Sequence, residues 1–304
     1  MRSEELGFDS IWLFDHLHSF PKPDREPLLE CWTTLSALAE STKRIRLGSL
    51  VTNAQYRNPA LLAKMAATVD NISDGRLEFG VGAGGTGRAE WAMRLGFNPE
   101  YRAYGMDFPD APRTRIRRLE EALQIVKKLW SEDKATFRGK YYRIEDAFCY
   151  PKPIQKPHPP IWVGGAGEKY MLRAVAKLAD GYNFAWNLSP EDCQKKLNVL
   201  SEHCKTLGRD ESSIGKSFLT ACVLGKTSDD VRRTLQQISD EYHNIPGYLP
   251  YALRKGAITG TADDCIRRIN DYSEVGVNYL MLAFPQREME SSLEEFAKKV
   301  MTSF

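Results

Sequence analysis

The feature that most constrains the fold is a regular alternation of short apolar segments with longer amphipathic ones. Strands are predicted at residues 10–14, 45–51, 77–81, 161–163, 181–184, 218–224 and 279–283. Helices are predicted at residues 29–40, 59–71, 113–130, 168–179, 190–207, 228–243 and 262–274. Repeated strand–helix units build a parallel sheet, so the chain is predicted to be an α/β protein.

The number of strands separates an open sheet from a closed barrel. Residues 1–6 are typical of the end of a helix, and Gly7 follows as a C-terminal cap. A strand would normally precede that helix, so seven visible strands imply eight. We therefore expect a (β/α)8 TIM barrel that lacks its first strand, with a native gene that starts upstream of Met1. A single domain is predicted over residues 1–304, with an insertion at about 85–112 and a proline-rich hairpin excursion at 135–160.

Composition excludes several classes of protein. The 304 residues carry a net charge of +2, which gives no electrostatic basis for binding nucleic acid or an anionic membrane. No apolar run approaches the roughly 20 residues of a membrane span. The six cysteines have no metal-binding spacing and are predicted to be reduced and mostly buried, as in a cytoplasmic protein.

The first strand ends in a charged pair. Asp15 and His16 directly follow the apolar residues 10–14. The carboxyl ends of barrel strands carry the chemistry in this fold class, so the pair is a candidate for cofactor binding or proton transfer. The alternative is a loop-capping aspartate beside a histidine with a structural role.

Two glycine-rich segments also follow predicted strands. Residues 80–87 match GxGxxG, but they follow the third strand and are not succeeded by a clear helix, which disfavours a dinucleotide-binding loop. Residues 164–167 join a strand to a helix, where backbone amides suit a phosphate, unless the glycines only form a tight turn. Residues 50–59 place small polar groups at the same edge. No GxSxG, HExxH or P-loop motif and no metal cluster is present, which favours chemistry carried by an organic cofactor.

Together these segments resemble the luciferase-like monooxygenase superfamily, whose members use FMN or the deazaflavin F420. The resemblance runs in order through about residues 4–285. It is carried by Asp15-His16, the segments 28–35, 44–52, 56–60, 75–84, 101–105, 118–123 and 137–142, and residues 157–165. Within this series, residues 33–35 and 56–59 are most similar to the corresponding segments of F420-dependent oxidoreductases.

The resemblance implies a barrel of the bacterial-luciferase type with its cofactor at the carboxyl ends of the strands. Asp15 and His16 would lie near the ring, with His16 as the proton donor or acceptor and Asp15 setting its tautomer or contacting the ring. It also implies a bulge with a non-proline cis peptide at Leu50-Val51 behind the ring. The cofactor-binding residues expected on this basis are Asp15, His16, Leu50, Val51, Thr52, Asn53, Gly82, Ala83, Gly84, Gly164, Gly165, Ala166 and Gly167, the last four at the phosphate.

The chain departs from the family pattern after Gly84. Relatives often carry an acidic residue there, which Glu90 or Glu100 could replace. Residues 86–98 form an extra segment that is either a lid over the substrate or a surface or dimer element.

The functional prediction is hydride transfer between F420 and a small organic substrate. The alternatives are an FMN-dependent monooxygenase and a non-catalytic flavin-binding barrel. A homodimer is expected from the resemblance alone. Candidate pocket residues are Trp12, Trp91, Trp186 and Tyr251, together with the proline-rich segment 245–251 as a cover.

Overall fold

The computed structural model describes residues 1–19, 26–85, 99–107, 109–184, 188–245, 250–285 and 289–304. By their internal contacts these residues fall into two compact units. The terminal unit combines Met1–Phe8, which holds helix α1 (Arg2–Glu5), with Gly181–Phe304. The other unit, Asp9–Asp180, is called the site unit below because it contains every residue predicted to bind the cofactor. The sequence-based prediction of one domain stays a prediction.

The site unit is a parallel sheet covered by helices. Its elements are β1 (Ser10–Leu13), α2 (Cys31–Ser41), β2 (Arg46–Ser49), β3 (Thr52–Asn53), α3 (Pro59–Ile72), β4 (Leu77–Gly82), α4 (Glu100–Ala103), α5 (Pro112–Ser131), the antiparallel pair β5 (Ala135–Arg138) and β6 (Arg143–Ala147), β7 (Ile161–Gly164) and α6 (Met171–Leu178). The parallel strands lie in the order β1-β2-β4-β7, and the short β3 pairs with the end of β4. All their carboxyl ends therefore lie at one edge.

The helix-facing side of this sheet is an aromatic and aliphatic core. Phe79 of β4 is fully buried between Trp32 of α2 and Trp130 of α5, with ring centroids 6.0 and 5.3 Å away. Period-two alternation explains the arrangement, because Leu77, Phe79 and Val81 all point to the same side of the strand.

The opposite side of the sheet is filled by two tryptophans and an ion pair whose carboxylate is buried. Trp12 and Trp162 pack edge to face at 6.2 Å, and a Cβ at Gly48 would lie 2.2 Å from the Trp12 ring. The Trp162 indole donates to Glu78 at 2.6 Å, and Glu78 also pairs with Arg46. Trp12 therefore packs within the sheet, and its predicted place in the substrate pocket stays a prediction.

The terminal unit is a second set of parallel strands with its own helices. It contains β8 (Gly181–Phe184), α7 (Pro190–Leu207), β9 (Gly215–Leu224), α8 (Ser228–Tyr242), β10 (Ile258–Gly260), α9 (Ala262–Glu274), β11 (Tyr279–Ala283) and α10 (Met289–Lys299). Strand β9 pairs in parallel with β8, β10 and β11. Helices α7, α8 and α9 each begin with a capping box, at Ser189, Thr227 and Thr261.

The structure confirms all seven predicted strands and the seven predicted helices, with boundary shifts. Helix α6 begins at Met171 rather than residue 168, because residues 165–170 form a loop that closes with a bond from the Leu172 amide to the Gly167 carbonyl at 3.1 Å. The six cysteines are free and buried, as predicted. Among the described residues, no helix is long and apolar enough to cross a bilayer.

Candidate active site

Asp15 lies just past the end of β1 and is almost completely buried. Both of its carboxylate oxygens accept hydrogen bonds from the guanidinium of Arg57, at 2.6 and 2.9 Å. Arg57 also donates to Glu30 at 2.6 Å, and Glu30 in turn caps helix α2 by accepting from the amides of Trp32 and Thr33. A bidentate pair of this kind fixes the orientation of the guanidinium relative to the carboxylate. Because Arg57 binds both Asp15 and Glu30, it links the end of β1 to the start of α2.

His16, the next residue, is bound by a different carboxylate. Its Nδ1 lies 2.7 Å from Oε2 of Glu100, the first residue of α4. The other carboxylate oxygen of Glu100 accepts from the amide of Leu17. The role predicted for Asp15, setting the His16 tautomer, is therefore taken by Glu100, because both oxygens of Asp15 are held by Arg57. Glu100 was one of the two carboxylates proposed from the sequence as a replacement acid; the other, Glu90, lies outside the described residues.

The charge of Glu100 determines which nitrogen of His16 carries the proton. Burial raises the pKa of Glu100, but the hydrogen bond and charge of His16 and the Leu17 amide outweigh burial, so the net pKa is below its ordinary 4.5. Glu100 is thus ionised at neutral pH and is purely an acceptor. A neutral His16 must then carry its proton on Nδ1, which leaves the lone pair on Nε2 to accept a proton.

Tyr56 lies next to the His16–Glu100 pair. Its phenol lies close enough to Glu100 and Asn53 for both to affect its ionisation. Burial raises the pKa of Tyr56 above its ordinary value of 10, and the negative charge of Glu100 raises it further. The phenol therefore stays protonated beside the Glu100 carboxylate.

The peptide bond between Leu50 and Val51 is cis, as the family resemblance implied. The Val51 side chain lies across the ends of β4 and β7. A Cβ at Gly82 would lie 2.8 Å from Val51 Cγ2, and a Cβ at Gly164 would lie 3.0 Å from Val51 Cγ1. Gly82 and Gly164 are paired in the sheet. Glycine is thus required at both positions for Val51 to lie there.

The polar residues after Val51 have structural partners. The Thr52 hydroxyl is fully buried and accepts a hydrogen bond from the Trp32 indole at 3.0 Å, which gives this side chain a packing role. Asn53 accepts from the Gln55 amide at 2.9 Å and lies against Gly84, where a Cβ would be 2.5 Å from Asn53 Oδ1. Gly84 has a φ of 72°, which favours glycine independently.

Backbone without side chains lines this edge of the sheet. We call residues 82–85 and 164–167 the glycine ledge. A Cβ at Gly85 would meet nothing within 4 Å, and Gly167 and Ala166 are exposed. A flat ring with a phosphate fits these residues, because the backbone is open at Gly85 and at residues 166–167, and His16 supplies a proton-transfer group just past the end of β1 in the same sheet.

The structure therefore brings His16, residues 50–53 and the glycine ledge to one edge of the site unit. Sequence reasoning missed Arg57 and Tyr56 as site residues, although both lie in the matched segment 56–60. Trp91 and Trp186, the segment 86–98, residues 246–249 and the side chain of Tyr251 lie outside the described residues.

Comparison with known proteins supports the resemblance. The family model described as luciferase-like monooxygenase matches residues 2–279. An F420-dependent glucose-6-phosphate dehydrogenase from Microbacterium testaceum (strain StLB037) is 27% identical over 98% of this chain and 90% of its own length.

Solved structures show the same fold. An F420-dependent secondary alcohol dehydrogenase in complex with an F420-acetone adduct matches with a TM-score of 0.79 and 22% identity over 100% of this chain and 92% of that one. Monooxygenase RslO1 from Streptomyces bottropensis matches with a TM-score of 0.76 and 23% sequence identity. The match covers 99% of this chain and 90% of that one. These likenesses confirm the predicted fold class, the luciferase-type (β/α)8 fold, over a dinucleotide-binding one. The chain belongs to the luciferase-like monooxygenase family.

Proposed function

We propose that this protein is an F420-dependent oxidoreductase that transfers a hydride between the deazaflavin and a small organic substrate at an alcohol or carbonyl carbon. The observation that carries the proposal is the His16–Glu100 pair at the end of β1, on the sheet edge that also carries the glycine ledge. The similarity to F420-dependent proteins is the reason for proposing F420 as the cofactor.

The residues that would hold the cofactor are Val51, Asn53 and the two halves of the glycine ledge. Val51 would support the ring from behind, and residues 164–167 would bind the phosphate through backbone amides. When bound, F420 supplies a two-electron centre that accepts or donates a hydride.

The protein's own contribution is acid–base chemistry and orientation. In alcohol oxidation the substrate loses a hydride from carbon and a proton from oxygen, and a carbonyl group remains. His16 accepts that proton on Nε2, while Glu100 stabilises the imidazolium that forms. In the reverse direction His16 returns the proton. Asp15 and Arg57 keep the end of β1 in place beside this pair.

The test is absorbance at 420 nm with purified protein, F420 and a panel of alcohols, sugar phosphates and ketones. Reversible bleaching that depends on substrate, and that falls at least about 100-fold in His16→Ala, is expected for a catalytic acid–base group. His158→Ala is the matched control, since that histidine precedes β7 and so lies toward the amino end of the strand, away from the candidate site. Oxygen consumption with reduced FMN instead would favour the monooxygenase alternative, and binding without turnover would favour a non-catalytic flavin-binding protein.

We also propose that the protein acts as a cytoplasmic homodimer on a small-molecule substrate. The family supports this assembly, and light scattering of the purified chain measures it. A monomer at micromolar concentration would contradict it.

A further inference from the structure

The loop after β7 carries two positive charges on one ring. The guanidinium carbon of Arg113 lies 5.2 Å from the centroid of the Tyr170 ring, and the ammonium of Lys169 lies 5.5 Å from the same centroid. Cation–π contacts of this kind hold long side chains in place at an exposed site. We call Arg113, Lys169 and Tyr170 the cationic clamp.

The clamp lies beside the glycine ledge. Lys169 and Tyr170 follow directly on residues 164–167, and Arg113 is in the first turn of α5. The same helix is fastened to the other half of the ledge, because Arg115 donates to the Gly84 carbonyl at 3.1 Å. The clamp therefore begins where the predicted phosphate site ends.

Nothing described in the structure neutralises these charges. Within the described ranges, neither Arg113 nor Lys169 is in a salt bridge with a carboxylate. By contrast, Arg46 of the same unit pairs with one carboxylate and Arg57 pairs with two. The first turn of α5 also contains no acidic residue and no side-chain cap, although the positive end of a helix favours negative charge there. Glu168 precedes Lys169 in the chain, but neither cation is paired with it among the described residues. Two cations held on one ring, beside a helix whose first turn has no acidic residue, are suited to an anion.

We propose that the cationic clamp binds the oligo-γ-glutamate tail of F420 beyond the phosphate. This inference rests on the proposed function and adds a reason for selecting F420 over FMN, which has a phosphate but no tail. The tail carries one carboxylate for each glutamate, and the guanidinium and ammonium groups bind carboxylates by charge-assisted hydrogen bonds. No covalent step is involved.

The test is fluorescence titration of the whole chain with three deazaflavins: the riboside without phosphate, the phospholactyl form without glutamates, and F420 with its tail. The wild type should bind the tailed form most tightly. Each of Arg113→Ala and Lys169→Ala should weaken binding of the tailed form about threefold, and the double variant about tenfold, as for partly exposed ion pairs. Binding of the riboside should change less than about twofold.

Controls separate the clamp from general charge effects. Lys177→Ala removes an exposed cation on α6, roughly 12 Å of helix beyond Lys169, and should bind as the wild type does. Tyr170→Phe keeps the ring and should also bind normally, whereas Tyr170→Ala should resemble the loss of one cation. Raising salt from about 0.05 to 0.5 M should weaken the wild type more than the double variant. Thermal melting checks that all variants fold.

The outcomes are distinguishable. Equal affinity of the wild type and the double variant for tailed F420 would overturn the inference. An equal loss for the phospholactyl and tailed forms would also overturn it, since the clamp would then bind the phosphate. Failure of the wild type to bind any deazaflavin would instead overturn the proposed function.

Discussion

Replacing Glu100 by Gln tests the proton-transfer pair without changing its size. The Leu17 amide can only donate, so the oxygen of the introduced carboxamide must face it, and the NH2 group must then face Nδ1 of His16. A donor at that position requires Nδ1 to be unprotonated, which moves the proton to Nε2 and removes the acceptor. A hydrogen bond to a charged group contributes about 1.5–3 kcal/mol, so the tautomer ratio should shift about 10- to 100-fold.

The assay is 15N NMR of protein labelled at histidine, of which the chain has five. Neutral His16 should carry its proton on Nδ1 in the wild type and on Nε2 in Glu100→Gln. The turnover number should fall about 10- to 100-fold, with F420 affinity unchanged within about twofold. Glu132→Gln, which alters a carboxylate paired with Lys128, is the control. The same His16 tautomer in both proteins would contradict the assignment of the proton by Glu100.

Three further predictions concern stability. Arg57→Ala leaves the buried carboxylate of Asp15 unpaired and should cost about 3–5 kcal/mol in urea unfolding; a loss below about 1 kcal/mol would contradict this. Gly82→Ala places a Cβ 2.8 Å from Val51 and should cost about 1–3 kcal/mol, most of which Val51→Ala should restore in the double variant. Folding lowers the pKa of Glu100, so this carboxylate stabilises the folded state at pH values above its ordinary pKa of 4.5. That stabilisation is lost as the pH falls through the lower pKa of the folded state. Melting temperature should therefore fall less steeply below pH 5 in Glu100→Gln, and parallel curves would contradict it.

The order of strands and helices was readable from the sequence because each element buries one regular stripe. Strand β4 shows this, since Leu77, Phe79 and Val81 alternate with Glu78 and two glycines. The short strands β3 and β10 were missed because two or three residues carry no periodic pattern.

The candidate site was only partly predictable for a physical reason. His16 and the glycine ledge are local features at strand ends, and local patterns indicate them. The partners of Asp15 and His16 are not local, because Arg57 lies 42 positions from Asp15 and Glu100 lies 84 positions from His16. Which carboxylate receives which cation depends on how the loops after the strands pack, and the spacing of residues does not encode that.

The most direct test of F420 dependence is a pair of equilibrium titrations of the whole chain, one with F420 and one with FMN, each followed by fluorescence. We expect micromolar or tighter binding of F420, with FMN at least about tenfold weaker, because the cationic clamp and the glycine ledge act together on the longer cofactor. Tight binding of FMN with no binding of F420 would contradict the central claim.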